Sequence, residues 1–359
     1  MKYFYDFRIV GTTAFTRGIT VLSDENGTSQ LSFIKPDGSV QARLYKAMNN
    51  EDLPPGPVNL LLLTNQNMTV PTMLGYWIYT RNGGVHLDGN TLQKDKTLAD
   101  NFFEAPESIN VGSAKAMREG AALAVINGRL YGGTTSTWDQ APTYGMFGLP
   151  AAGDYEISSS FVYNNVKRYF VTFDVNRKQF LRFNLYGEPT YGGTSYNVIG
   201  DVFDPKNVQM DLVHLEQVNA ADCFAFCRAS DGKLYELNFG IEFAGPFQIE
   251  PKHKRLFVLQ DEIKPDSKWV ASQGGVFYIS SGDKIYRYNP INQQKEVLTT
   301  TFAGKTISML KLVSTENAST LIVGIEGSLV YLDVSTGKRG DELERINGIP
   351  GAPVDMVER

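Results

Sequence analysis

The chain has 359 residues, 42% of them hydrophobic and 20% charged, a balance that supports a large core and excludes a disordered chain. Lys and Arg number 34 against 39 Asp and Glu, a net charge of -5, which argues against nucleic-acid binding as the main task. The longest apolar run, Val58 to Leu63, falls far short of the roughly 18 residues that span a bilayer.

Taken in chain order, one unit recurs seven times: an apolar strand, a short Gly/Asn/Asp turn, and a strand of alternating pattern. Ile19 to Ser23 turns at Asn26-Gly27 into Leu31 to Ile34. Tyr76 to Thr80 turns at Asn82-Gly83-Gly84 into Val85 to Asp88, and Ala121 to Ile126 turns at Asn127-Gly128 into Arg129 to Tyr131. The later copies are cleaner. Arg168 to Phe173 leads to Gln179 to Asn184, Cys223 to Arg228 to Leu234 to Asn238, Val276 to Ser280 to Ile285 to Asn289, and Leu321 to Ile325 to Leu329 to Asp333. Asn-Gly between apolar runs signals a hairpin, because both turn positions need positive φ. Equivalent positions Leu31, Val85, Leu130, Phe180, Leu234, Ile285 and Leu329 lie 44 to 54 residues apart. A period of about 50 with a central hairpin predicts a β-propeller of about four antiparallel strands per blade. Seven blades use up the chain as a single domain, 1–359, with six or eight blades as the alternatives.

Further strands are expected at Asn207 to His214 and Thr306 to Val313, each preceding a hairpin as an inner strand. Pro353 to Val357 stands where an eighth unit would begin. It is therefore expected to join the first blade beside Ile19 to Ser23 and close the ring, with Met1 to Val10 as the competing strand. Cys223 and Cys227 on one strand face lie about 13 Å apart, too far for a disulfide, and predict two buried thiols. Met1 to Phe7 lacks the apolar core of a signal peptide. Most strand aromatics, among them Trp77 and Trp269, are expected to pack between blades.

Chemical motifs are sparse. The three histidines, His86, His214 and His253, have no ligand-spaced partner, so no metal site and no cofactor is expected. His253, in Pro251 to Arg255, reads as a solvated turn. There is no Gly-x-Ser-x-Gly elbow, phosphate loop or dinucleotide turn, and no catalytic residue is assigned. Arg339-Gly340-Asp341 is short enough to arise by chance; the Asn-x-Ser/Thr sites at Asn26, Asn67 and Asn317 matter only in a secreted eukaryotic protein, and the turn already explains Asn26. Two polar, aromatic-bearing runs interrupt the third and fourth blades: Gly132 to Tyr144 and Tyr186 to Tyr196. Aromatics beside Asp and Thr can stack on sugar faces and bond hydroxyls, which makes Trp138, Asp139, Tyr144 and Tyr191 the candidate ligand-binding residues. An alternative is a polysaccharide hydrolase or lyase whose loop acids, such as Asp139, Glu188 and Asp201, converge on the central channel.

Gly18 to Ile34 and Gly83 to Gly89 resemble the opening turn-and-strand pattern of the propeller in the PKD-like lipoproteins of Bacteroidetes. The resemblance covers the chain as the propeller portion of such a protein. It implies a lipid anchor and β-sandwich modules upstream, export to the outer membrane or cell surface, and association with a nutrient-uptake system of the starch-utilisation type. This chain has no lipid-attachment Cys near Met1 and no room for those modules. The family brings no catalytic residues. The expectation is a non-enzymatic binding or scaffold propeller for a glycan, a peptide or a partner protein.

Overall fold

The computed structural model describes residues 15–68, 72–137, 142–185, 188–219, 221–242, 245–315 and 319–359. Seven small sheets make up nearly all of the secondary structure, and the fold is a seven-bladed β-propeller. The second strands of the blades are the apolar runs read in the sequence: Ile19–Glu25, Thr72–Thr80, Ala122–Ile126, Tyr169–Asp174, Cys223–Arg228, Phe277–Ser281 and Ser319–Ile325. Each pairs antiparallel with the strand after its turn. At the first turn Glu25 faces Thr28, and the two loop residues, Asn26 (φ 53°) and Gly27 (φ 86°), are both left-handed. Asn127 and Gly128 repeat that geometry at the third. Backbone twist of this sign matches the strand twist, which is why Asn-Gly appears here.

The second strands are buried on both faces because alternate residues pack on opposite neighbours. In blade 2, Tyr76 and Ile78 join Leu22, Leu31 and Phe33 of blade 1, whereas Trp77 and Tyr79 join Ala122, Ala124 and Ile126 of blade 3. Seven such clusters fill the seven interfaces, the last joining Ile322 and Leu329 of blade 7 to Val21 and Ile34 of blade 1. Each fully buried Leu, Ile or Phe contributes about 1.5–3 kcal/mol of transfer free energy, so the aromatics act chiefly as mortar between blades. Cys223 and Cys227 belong to one of these clusters as free, buried thiols. Burial pushes both well above the ordinary thiol range.

The inner strands are Pro57–Asn65, Val111–Ala116, Ile157–Asn164, Asp211–Gln217, Trp269–Ala271, Ile307–Ser314 and Ala352–Glu358. The two expected ahead of the fifth and seventh hairpins thus begin at Asp211 and Ile307. An inner strand has unpaired backbone groups on its axial edge. Polar side chains of adjacent blades meet several of these groups. Asn59 Oδ1 accepts the Ala114 N–H at 2.9 Å, Asp355 Oδ2 accepts the Leu60 N–H at 2.9 Å, and Ser113 Oγ donates to the Ser159 carbonyl at 2.6 Å. Ala352–Glu358 pairs antiparallel with Ile19–Glu25 and closes the ring, as its position in the repeat implied. The competing strand, Met1 to Val10, lies outside the described residues.

Outer strands depart from the regular plan. Among the described residues blade 3 has three strands, and Phe147 forms bridges with Gly133 and Phe102. Blade 5 has five, because Asn197–Val198 pairs in parallel with Gln248–Ile249. The polar run of blade 4 is partly strand: Thr190–Gly193 forms its outer edge. His253 sits on the strand Gln248–Leu256, not in a solvated turn. Its Nε2 lies 2.7 Å from the fully buried Glu236 carboxylate. Arg339-Gly340 forms part of a bonded turn, with the Gly340 N–H donating to the Asp333 carbonyl at 2.9 Å. No helix among the described residues is long and apolar enough to cross a membrane.

Candidate functional site

Every blade has its hairpin turn at one end of the ring. At the opposite end lie the turns from inner to second strand and from third to outer strand. Between blades 3 and 4 four of these opposite-end segments converge around a cavity of about 240 Å³. Leu123, Leu185 and Pro189 give it an apolar floor. Glu119, Thr134, Tyr163, Asn165 and Arg168 bring polar atoms to it, and the exposed Glu188 stands at its edge.

Glu119 is carried on a tight turn. The Met117 N–H donates to the Ala121 carbonyl at 2.7 Å, and the Gly120 N–H donates to the Met117 carbonyl at 3.0 Å. Gly120 has φ +85°, and a Cβ there would lie 2.9 Å from the Asn65 nitrogen, so the turn requires glycine. The side chain it presents is 90% buried, yet neither carboxylate oxygen receives a directed hydrogen bond. Arg168 Nη1 lies 2.9 Å from Oε1 but off the hydrogen-bonding direction. The ion pair therefore balances charge and leaves acceptor capacity unused. Arg168 is itself in the left-handed region at φ 54°, a conformation that costs a non-glycine residue on the order of 1 kcal/mol.

The remaining polar groups are organised from neighbouring loops. Thr134 Oγ1 and Ser136 Oγ lie 3.0 Å apart, and the Tyr163 hydroxyl donates to Asn165 Oδ1. Burial raises the Tyr163 pKa and the charge of Glu119 adds to it, so the phenol stays protonated. Gly132 and Gly133 permit the close approach of the loops: a Cβ on the first would meet Pro189 at 2.5 Å, and on the second the Gly145 carbonyl oxygen at 2.7 Å.

Of the residues singled out from the sequence, Trp138 and Asp139 lie outside the described residues. Tyr144 does not line this cavity; its hydroxyl donates to the backbone carbonyl of Glu119 at 2.5 Å. It lines a second cavity of about 270 Å³ with Trp77, His86 and Asp95, between blades 2 and 3. Tyr191 is not at the site. It stacks on Tyr155 with centroids 5.1 Å apart and packs edge-on to Phe183, inside the blade 3–4 interface. Of the loop acids, Glu188 borders the cavity, and Asp201 follows the short strand at the rim of blade 5. Sequence reasoning missed Glu119 and Arg168; the one local sign was a charged pair ahead of a glycine, Arg118-Glu119-Gly120.

The central channel has its own polar set. Lys115 Nζ donates to the Phe161 carbonyl at 3.3 Å, and burial lowers its pKa. Burial pushes Glu216 up, but His214 at 3.2 Å and the charge of Lys115 outweigh it and hold the carboxyl below its usual value. His214 stacks flat on Trp269, with centroids 4.9 Å apart. Among the described residues, no cluster of three or more His, Cys, Asp or Glu side chains could hold a metal ion.

No family model matches the sequence, and no curated protein matches it. Solved structures share the fold. A functionally unknown protein from Desulfotomaculum acetoxidans aligns with TM-score 0.55 at 12% identity, over 95% of this chain and 98% of its own. A proposed 6-phosphogluconolactonase from Bacteroides uniformis aligns with TM-score 0.52 at 13% identity, over 96% and 100%. The extracellular domain of a proposed one component system from B. thetaiotaomicron gives 0.52 at 8%, over 93% of this chain but only 43% of that longer one. Likenesses at these identities establish the propeller and carry no activity.

Proposed function

We propose that the protein is a non-enzymatic recognition propeller that binds a polar ligand, a glycan or peptide segment, in the cavity between blades 3 and 4. One observation carries the reading: loops of both blades bring the polar side chains of Glu119, Thr134, Tyr163, Asn165 and Arg168 to one cavity of about 240 Å³. The resemblance of the first two blades supports an exported, surface-attached setting beside an outer-membrane uptake system, with the lipid anchor upstream. The test is a combined glycan and peptide array probed with the wild-type protein, Glu119→Gln and Thr134→Val. The expected result is a binding signal that both substitutions weaken. Signals unchanged in both variants reject this cavity as the site.

A further inference from the structure

We infer that the rim between blades 4 and 5 holds a second binding site, which takes a phosphate or sulfate group on Arg182 and Lys206. The inference is independent of the cavity between blades 3 and 4.

The site starts from an irregularity of the fold. Blade 5 gains its fifth strand because Asn197–Val198 pairs in parallel with Gln248–Ile249, and the Asn197 N–H donates to the Phe247 carbonyl at 2.9 Å. That pairing lays Thr194 to Asn197 beside Pro246 and Phe247. Together with Arg182 of blade 4 and Lys206 these residues line a cavity of about 340 Å³. No Asp or Glu stands among the described residues that line it.

Both cations lack an acid. Arg182 is half-buried, with its guanidinium carbon 5.2 Å from the centre of the Phe247 ring. Gly192 makes room for it, since a Cβ there would lie 2.9 Å from the Arg182 Cγ and Nε. Nε is closed to solvent, Nη1 donates to Asn184 Oδ1 at 3.3 Å, and Nη2 is left open. Burial lowers the Arg182 pKa, and no carboxylate pulls the other way. Arg168, Arg177 and Arg255, by contrast, each pair with a carboxylate. Lys206 Nζ lies 5.0 Å from the centre of the Tyr196 ring and joins no ion pair among the described residues. The adjacent Asp204 turns its carboxylate to the Lys206 backbone N–H at 2.8 Å instead. The rings steady the two cations without neutralising them.

Two like charges at one cavity repel, and burial of the guanidinium adds a desolvation cost. A bound anion relieves both. Phosphate, largely dianionic at neutral pH, and sulfate bring two charges to two cations. A carboxylate brings one charge and two oxygens, and leaves one cation unmatched. Thr194, Ser195 and Asn197 add neutral donors to the lining, and Ser195 and Asn197 are exposed.

The test is calorimetric titration at fixed ionic strength with inorganic phosphate, inorganic sulfate, methyl phosphate and acetate. Wild type is compared with Arg182→Gln, Lys206→Gln and, as a control on the exposed hairpin of blade 5, Lys233→Gln, with thermal unfolding to confirm that each is folded. The expected result is saturable binding of phosphate and sulfate, weakened about tenfold or more by Arg182→Gln and by Lys206→Gln, unchanged by Lys233→Gln, and far weaker for acetate. Should Arg182→Gln fail to fold, Lys206→Gln carries the test alone. Methyl phosphate binding as tightly as phosphate supports the site with an esterified group as its ligand, and binding of the inorganic anions alone supports it with a free anion. Acetate binding as tightly as phosphate overturns the dianion assignment. Binding that survives both substitutions, or no saturable binding of any anion, overturns the site.

Discussion

Among the described residues two glutamates, Glu119 and Glu236, are buried at blade interfaces, and their surroundings differ in kind. Glu236, between blades 5 and 6, is fully buried. It accepts from His253 Nε2 and Arg255 Nη2, each at 2.7 Å, and from the Tyr288 hydroxyl. Glu119, between blades 3 and 4, has one off-axis cation and no directed donor. A carboxylate bonded by three directed donors serves the fold. One held by a single off-axis cation beside a cavity has acceptor capacity left over.

The comparison can be broken at either end. Glu236→Ala should have the largest effect, a loss of about 3 kcal/mol read from urea unfolding, because it strands Arg255 and the Tyr288 hydroxyl. A loss under about 1 kcal/mol would mean that the network is not structural. Gly120→Ala should cost about 2 kcal/mol, since φ +85° and the Asn65 backbone both oppose a side chain, and ligand binding should fall with it. Tyr191→Ala should cost about 1–2 kcal/mol through lost packing on Tyr155 and Phe183, with array binding unchanged in the folded protein. Weakened binding would return Tyr191 to the site. Glu119→Gln should alter stability by less than about 1 kcal/mol while weakening recognition, the reverse of the pattern at Glu236.

The smallest effect concerns pH. Burial lowers the pKa of His86, against the opposing pull of Asp95 at 3.1 Å and with a further lowering by Lys96. The folded state therefore disfavours the protonated ring. The stability it contributes is present above about pH 6.5 and is lost as pH falls below that value. The urea midpoint of His86→Gln should accordingly drop less than that of wild type between pH 7 and pH 5.5. An equal drop in both proteins would assign the acid sensitivity to other groups.

The hairpin of every blade was legible because its strands alternate and are buried, and because turns such as Asn26-Gly27 and Asn127-Gly128 declare positive φ. The outer strands were not. Lys94–Thr97 and Gln294–Val297 are short, polar and partly exposed, so no apolar period marks them. Asn197–Val198 has only two residues and is held by a parallel pairing with a segment about 50 residues away. The polar run from Gly132 was singled out as a ligand-binding loop and its first residues line a cavity, whereas Glu119 and Arg168 passed unnoticed. They meet only because loops of two blades fold together, and beyond the charged pair ahead of Gly120 no local pattern announces them. Tyr191 misled for the opposite reason: an aromatic in a Gly-rich run looks like a platform, but its strand register turns it into the interface.

The closure of the ring by Ala352–Glu358 has a consequence for the order of events at the ribosome. Blade 1 obtains its inner strand from residues synthesised more than 300 positions after its hairpin, and Ser23 Oγ finally meets the Pro350 carbonyl across 327 positions. Until then Ile19–Glu25 lacks the partner it has in the closed ring, and an unpaired edge is a template for pairing with other chains. So non-local a closure predicts a slow final folding phase, and any truncation before residue 352 should yield an open, aggregating arc.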